Sequence, residues 1–335
     1  MTPDTTELTR VGVIGAGRMG RGIALAFAYA GMPVTLVDLK SRDAEDYEEL
    51  ARKTAEDLYN DLECMADNET SGLDRVQLVA KLVTLLPAEQ ALDILSDTYL
   101  VFEAVPEIIA AKKEAFCWLD EIVPENALIA STTSSISVNA LAEFVTQPAR
   151  FLNTHWLNPA HLIPLVEISR GEITSDSTVV AVRNILSAIG KVPVVCRASP
   201  GYIVPRIQAM AMNEAARLVE EGVASAEDVD TAVRVGFGLR FTVLGLLEFI
   251  DWGGGDILYY ACNYLAENID KERFAPANII KQHMQNNLNG LRDGAGFYDY
   301  QGVDIEAYRK QKLSDFIGML RHLDLMPGID IDQKN

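Results

Sequence analysis

The strongest restriction on the fold is Gly15-Ala-Gly17-Arg-Met-Gly20, set directly after the apolar run Val11-Gly-Val-Ile14 and opening a helical pattern from Met19 to Tyr29. A strand that ends in glycines and turns at once into a helix aims backbone N–H groups, and the positive end of the helix dipole, at an anion. The three glycines serve a tight turn, close approach of a pyrophosphate to the backbone, and close packing of helix on strand. A second apolar run, Val34-Thr-Leu-Val37, ends at Asp38, where a carboxylate can accept hydrogen bonds from a ribose 2′-hydroxyl. Gly15, Gly17, Arg18, Met19, Gly20 and Asp38 are therefore expected to bind a dinucleotide. Asp38 would repel a 2′-phosphate, so NAD is favoured over NADP, with Lys40 acting slightly the other way.

The next runs keep the same alternation. Leu82–Leu85, Leu100–Phe102 and Ala127–Ala130 read as buried strands. Helical patterns lie between and around them, over Ala44–Met65, Asp74–Val79, Ala88–Ile94 and Ala111–Ile122. Strands alternating with helices of this length mean βαβ units and a parallel sheet covered on both faces. Phe151–Thr154 and Leu165–Ser169 then read as a hairpin, followed by a helix over Val179–Ile189 and a strand over Val192–Cys196. Ala198-Ser-Pro-Gly201 is the best domain boundary, because Pro-Gly stops one element and starts another. Beyond it the pattern is helical: Tyr202–Gly222, Ala226–Val235, Val243–Ile250, Ile257–Leu265 and later segments. The expected fold class is α/β: a Rossmann-type doubly wound, mainly parallel sheet over residues 1–198, with a helical excursion near 41–80, then a mostly α-helical domain over 199–335.

Charge narrows the partners. Forty-eight Asp and Glu against 29 Lys and Arg leave a net charge of −19, which repels nucleic acid and anionic membranes at long range. No apolar run reaches the roughly 20 residues of a membrane helix; the longest, from Phe241, is interrupted by Glu248 and Asp251. The start, Met1 to Leu8, has no basic region followed by an apolar stretch, so a cytoplasmic protein is expected. Cys64, Cys117, Cys196 and Cys262 are scattered, without metal-ligand spacing, and read as buried thiols with no metal site. The tail Pro327–Asn335 is polar and reads as frayed.

His155 supplies acid–base chemistry in the right place, at the end of the strand Phe151–Thr154. Alcohol oxidation needs a base for the hydroxyl proton as hydride leaves, and imidazole titrates in the right range. Glu167 stands between Val166 and Ile168 in an apolar strand, and a turn at Asn158-Pro159 would let it reach the His155 ring. A lone His is as often a satisfied structural residue, and the residues alone leave both readings open.

The segment "HWLNPAHLIPLVE", His155 to Glu167, resembles the signature of the 3-hydroxyacyl-CoA dehydrogenase superfamily. "FEAVPE" followed by Lys112, "ASTTSSI" (Ala130 to Ile136), "SPGYIVPR" (Ser199 to Arg206) and "DGAGFYDY" (Asp293 to Tyr300) follow in family order. The resemblance implies an NAD-dependent oxidoreductase with His155 as general base, Glu167 as its orienting partner and Ser134 as donor to the substrate oxygen. It implies that Asn158 lines the same pocket, that Glu107 and Lys112 sit near the nicotinamide ribose, and that the helical domain serves substrate binding and a homodimer.

Some positions depart from the family. Pro205 and Thr132 stand where the family usually has Asn, and Gly238–Phe249 lacks the usual closing Gly-Pro. The Leu239-Arg240-Phe241 start and His161 are more like the relatives acting on free polar hydroxy acids, such as gulonate and carnitine dehydrogenases; an exposed structural His is the alternative for His161. The excursion Ser41–Arg75, which holds CoA phosphates in acyl-CoA enzymes, carries twelve acidic residues against four basic ones here. Phosphate binding wants clustered Arg or Lys, although part of that excess is a solvated helix face. A small 3-hydroxy acid is therefore expected in preference to an acyl-CoA, its carboxylate met by Arg206, Arg240 or His161. A short-chain L-3-hydroxyacyl-CoA dehydrogenase is the alternative, and a non-catalytic NAD-binding protein the alternative of another class.

Overall fold

A computed structural model describes residues 10–66 and 72–326. Its strands are β1 (Val11–Ile14), β2 (Val34–Asp38), β3 (Val83–Pro87), β4 (Leu100–Glu103), β5 (Leu128–Ser131), β6 (Phe151–Trp156), β7 (Leu165–Arg170) and β8 (Val192–Arg197). They form one sheet in the order β3-β2-β1-β4-β5-β6-β7-β8. All neighbours are parallel except β6 and β7, which run antiparallel. The order reverses between β1 and β4, and the carboxyl ends of strands at such a reversal form the ligand crevice of an open α/β sheet. β1, β2, β4 and β5 are buried throughout, as mostly apolar strands must be in a parallel sheet covered on both faces, and the polar Asp38, Glu103 and Ser131 stand at their carboxyl ends. The doubly wound sheet followed by helices is the architecture expected from the alternation of runs.

Strand periodicity sends alternate residues to two cores. Val11 and Val13 join Ile23, Ala24 and Phe27 of the helix Arg18–Tyr29, where the rings of Phe27, Phe102 and Trp156 cluster with centroids 5.5 to 6.4 Å apart. Ile14 joins Phe116 and Leu119 of the helix Ile109–Ile122, with Phe116 edge-on to Phe151 at 5.3 Å. That helix buries Lys112, Ala115, Phe116 and Leu119, a single stripe with one charged member. Cysteine burial is where the reading needs correction. Cys64 and Cys117 are exposed, and Cys196 and Cys262 are half-buried. Cys117 follows Phe116 by one step of the helix and so falls outside the stripe; helix phase overrides the usual preference of cysteine for the interior.

The excursion packs Leu58 and Leu62 of the helix Ala44–Ala66, with Val76 and Val79 of the helix Gly72–Ala80, against Leu25 and Ala28. Glu45, Asp46, Glu48, Glu49, Glu56 and Glu63 face solvent, while Asp57 pairs with Arg21 at 2.7 Å. Asp67, Glu69, the start Met1–Leu8 and the tail Pro327–Asn335 lie outside the described residues. Among the described residues no helix is long and apolar enough to cross a membrane, and no three His, Cys, Asp or Glu side chains are grouped to hold a metal ion.

The chain divides into two compact units, Met1–Ala211 and Met212–Asn335. The second is helical, with Ala226–Ala232, Leu239–Val243, Leu246–Gly253, Gly255–Asn268, Asn278–Gln285 and Ile305–His322 as its main helices. Two expected helices differ. Ala226–Val235 gives way after Ala232 to a wider π-type segment over Val233–Gly238, and Val243–Ile250 is interrupted before Leu246. Gly236, Gly238 and Gly245 stand at these places, where the missing Cβ weakens regular helix. Asp293–Tyr300 wraps around the buried carboxylate of Asp251, which accepts from the N–H groups of Phe297 and Tyr298 at 3.0 and 2.9 Å and from the Tyr300 hydroxyl at 3.2 Å. Glycine is required there, since a Cβ on Gly296 would lie 2.2 Å from an Asp251 oxygen.

Candidate active site

The turn after β1 gives each glycine its own task. Gly15 has φ +113°, and a Cβ there would strike the Ala104 carbonyl after β4 at 2.5 Å. A Cβ on Gly20 would lie 1.9 Å from the Gly15 oxygen, so only glycine lets the helix sit this close to the turn. Gly17 is the helix N-cap, and a Cβ there would meet nothing within 4 Å: its face is open. The helix Arg18–Tyr29 has neither a capping side chain nor an acidic residue in its first turn, so its leading N–H groups are left for an anion. These groups border a cavity of about 360 Å³ that also takes in Met19, Asp38 and Arg42. Asp38 ends β2, is almost fully buried, and accepts from the Arg42 Nε. An open glycine face, free helix amides and a carboxylate at the end of β2 fit the pyrophosphate and ribose of a dinucleotide.

A charge network stands behind this cleft, at the carboxyl ends of β4 and β5. Glu103 is fully buried; one oxygen accepts from Lys112 Nζ and the Val105 N–H, both at 2.9 Å. The other accepts from Lys112 Nζ at 3.1 Å and the Ser131 hydroxyl at 2.6 Å. Lys112 is 1 % exposed, and its ammonium also lies 3.3 Å from Glu107. Its influence on a ligand therefore passes through Glu107. Burial pushes the Glu107 carboxyl up, but hydrogen bonds from Thr133 and Ser135, with Lys112 nearby, outweigh this and hold it at about 2. One Glu107 oxygen gathers the Thr133 hydroxyl, the Ser134 and Ser135 N–H groups and the Ser135 hydroxyl. The Ser134 loop is thus strapped to an ionised carboxylate, while among the described residues the Ser134 hydroxyl has no partner.

β6 runs two residues further than the sequence suggests, so His155 lies inside it, directly opposite Glu167 of β7. The His155 Nδ1 is 2.8 Å from a Glu167 oxygen. The other Glu167 oxygen accepts from the Ile203 and Val204 N–H groups, at 2.8 and 2.9 Å, at the start of the helix Val204–Glu220. A carboxylate at a helix N-terminus satisfies orphan amides and meets the favourable end of the dipole. Pro205 is the second residue of that helix, where no intrahelical N–H bond is lost.

Tyr202, three residues before Pro205, adopts φ +46° and lies flat on His155, with ring centroids 4.8 Å apart and planes 15° from parallel. Its hydroxyl donates to the Thr133 carbonyl at 2.7 Å and accepts from the Asn153 amide at 3.2 Å. Burial pushes the phenol up, which keeps that donor protonated. One side chain therefore joins the His155 ring to the loop that carries Ser134.

Asn158 and His161 line a second cavity, of about 400 Å³, together with Arg18, Asn60 and Asp61. Arg18 borders both cavities. Arg206 is exposed on the helix Val204–Glu220. Arg240 belongs to the second unit, where it donates to the Gly236 carbonyl at 3.0 Å and lies over the Phe249 ring. Sequence reasoning singled out neither Glu103 nor Tyr202. Both were within quoted motifs, Glu103 in "FEAVPE" and Tyr202 beside the Pro-Gly turn, but nothing local marks them as partners of Lys112 or His155.

Comparison with known proteins agrees with this geometry. The profile of the 3-hydroxyacyl-CoA dehydrogenase NAD-binding domain matches residues 10–199, and that of the family's C-terminal domain matches 201–300. The mitochondrial hydroxyacyl-coenzyme A dehydrogenase of Sus scrofa is 34% identical over 297 residues, covering 87% of this chain and 91% of that one. The crystal structure of a 3-hydroxyacyl-CoA dehydrogenase from Archaeoglobus fulgidus superposes with a TM-score of 0.74 at 33% identity, over 95% of this chain and 100% of that one. The 5-formyl-3-hydroxy-2-methylpyridine 4-carboxylate 5-dehydrogenase of Mesorhizobium japonicum is 28% identical, over 95% of this chain and 99% of that one. A glycine turn opening a helix beside a cleft, with a carboxylate at the end of β2, in a chain matched by both domain profiles, makes this protein an NAD-dependent oxidoreductase belonging to the 3-hydroxyacyl-CoA dehydrogenase family.

Proposed function

We propose that the protein oxidises the secondary hydroxyl of a small 3-hydroxy acid, or a comparable polar alcohol, with His155 as general base. The observation that carries this reading is the buried His155–Glu167 pair, anchored from behind by two backbone amides. A carboxylate used as acceptor on both oxygens keeps the imidazole proton on Nδ1 and leaves the Nε2 lone pair for the substrate. Nε2 takes the hydroxyl proton, and Glu167 stabilises the imidazolium that forms. The glycine turn and Asp38 would hold NAD, which would supply the hydride acceptor for the carbinol carbon. Ser134 donates to the substrate oxygen from its strapped loop, and Asn158 lines the pocket. The intact pair speaks against a nucleotide-binding protein without turnover.

Support for a free acid comes from the excursion, whose outer face is acidic and solvated, and from the polar cavity beside Asn158. Burial pushes the His161 imidazole down, with Asp61 raising and Lys191 lowering it, so His161 is a neutral donor near neutral pH. The carboxylate of the acid then needs a cation. Arg18, which lines the cavity, joins Arg206 and Arg240 as a candidate to grip it with a guanidinium fork, with His161 as a hydrogen-bond donor beside it. The Mesorhizobium relative is named for a free pyridine carboxylate. Relatives named for acyl-CoA substrates support the second reading, a short-chain 3-hydroxyacyl-CoA dehydrogenase. Steady-state assays at fixed NAD, pairing each free 3-hydroxy acid with its CoA ester, separate the two. The acids are expected to show the higher kcat/KM; a consistent preference for the esters overturns the substrate class. A homodimer is part of the same reading, supported in the second unit by Met212, Ile257, Tyr260 and Tyr264, all exposed.

Cofactor choice gives a separate expectation. Asp38→Ala removes the acceptor for the ribose hydroxyl and frees Arg42 to meet a 2′-phosphate. It is expected to lower kcat/KM for NAD by about tenfold or more, since hydrogen bonds to charged groups are worth that much, and to narrow the gap to NADP. Equal efficiency with NAD and NADP in the unmodified enzyme would remove this role from Asp38.

A further inference from the structure

Lys191, the residue before β8, is nearly buried and has an unusual set of partners. Its ammonium donates to the carbonyls of Ala160 at 2.7 Å, His161 at 3.1 Å and Ile163 at 2.9 Å. It also lies 5.7 Å from the centroid of the Trp156 ring. All three acceptors belong to residues 157–164, the loop from β6 to β7 that begins two positions after His155. That loop carries Asn158 and His161 and forms one wall of the 400 Å³ cavity. An ammonium has three donors and no acceptor, and here each donor has one loop carbonyl. Among the described residues no carboxylate pairs with it. A buried cation satisfied only by backbone is costly, and the expense is concentrated on one stretch of chain.

We propose that Lys191 is a positioning residue: by binding three carbonyls of the 157–164 loop, it sets where Asn158 and His161 stand in the substrate cavity. The proposal rests on the reading that this cavity takes the substrate. Its action is through the loop backbone, so it governs substrate affinity more than the proton and hydride steps. Burial pulls the amine down from its ordinary range to about 8. Below that pH three N–H donors meet three carbonyls. Above it the neutral amine keeps two donors and turns a lone pair toward the third carbonyl, so the loop loosens. The groups facing Lys191 are His161 on the loop, with Asp61 of the helix Ala44–Ala66 acting on His161, and the Trp156 ring of β6.

The test measures KM for substrate, KM for NAD and kcat from about pH 6.5 to about pH 9.5, a range that spans the lowered lysine titration, for the intact enzyme, Lys191→Met and Lys191→Arg. In the intact enzyme, KM for substrate is expected to climb across about pH 8 while KM for NAD stays level. Lys191→Met should raise KM for substrate by about tenfold at neutral pH, the loss expected of charge-assisted hydrogen bonds, with kcat within a few-fold. Its KM should no longer vary across that range. Lys191→Arg keeps its charge throughout and should abolish the alkaline rise without the loss at neutral pH. Thermal unfolding shows whether each variant folds; should Lys191→Met not fold, the intact enzyme against Lys191→Arg carries the comparison. Unchanged KM in Lys191→Met, or an alkaline rise that persists in Lys191→Arg, overturns the proposal. So does a parallel loss of kcat and of both KM values, the mark of a merely structural role. If CoA esters prove the better substrates, the series is run on the ester. The substrate class then fails by itself, and Lys191 is judged on its own pH dependence.

Discussion

His155→Ala is expected to lower kcat by about 10²–10⁴-fold while NADH binding stays nearly intact, because general-base catalysis contributes on that scale. The two effects separate because the residues that form the nucleotide cleft lie around β1, β2 and the turn after β4, whereas His155 lies on β6. Steady-state turnover and a fluorescence titration with NADH measure them independently. Glu167→Gln tests the orienting role. The amide has no charge to stabilise the imidazolium, and it must share its oxygen and its NH₂ between Nδ1 and the Ile203 and Val204 amides. The pH–rate profile should shift and kcat should fall, with NADH affinity unchanged. Near-normal turnover in His155→Ala would send the search for the proton acceptor elsewhere, with His161 next in line.

Lys112→Met is expected to destabilise the first unit by about 3–5 kcal/mol, the cost of leaving a buried charge without its partner. Glu103 has no solvent to turn to, and it would keep only the Ser131 hydroxyl and the Val105 N–H. Chemical denaturation read at equilibrium measures the loss. Adding Glu103→Leu in the same chain should recover much of it, since replacing both charges with apolar groups is far cheaper than stranding one. The single variant should also weaken NADH binding, because Glu107 loses its cation and the Ser134 loop hangs on Glu107. Stability within about 1 kcal/mol of the intact protein would mean that Glu103 does not need Lys112, which is outside the range for broken buried pairs.

Much of the fold could be read along the chain because it rests on short-range physics. Parallel strands covered on both faces must be continuous apolar runs, and Val11–Ile14, Val34–Val37 and Leu100–Phe102 are such runs. The glycine turn announces itself because Gly15 and Gly20 answer steric demands within the turn or one strand away, while Gly17 leaves an open face for a ligand. Even the His155–Glu167 meeting could be anticipated, since a chain reversal after His155 folds the two strands together, although the register centred on 161 that puts the two opposite each other needs the whole 157–164 loop.

Other features follow no local rule. Lysine is almost never fully buried unless paired, yet Lys112 occupies the buried stripe of its helix with Ala115, Phe116 and Leu119, and the carboxylate at the end of β4 makes that position tolerable. Cys117 is exposed for the complementary reason: its type favours burial, but its phase does not. Tyr202 reaches His155 because a left-handed backbone turns its ring onto a strand formed some fifty residues earlier, and its hydroxyl meets Thr133 across 69 positions of chain. Lys191 finds its three carbonyls 28 to 31 residues upstream. By itself, then, the sequence determined the order of strands and helices, the dinucleotide turn and the approach of Glu167 to His155. Each follows from sterics and hydrophobic periodicity over a few residues or a single hairpin. Tertiary structure decided which charges are buried and what holds the Ser134 and 157–164 loops, because a buried ion or a stacked ring is stable only where distant segments supply its partner.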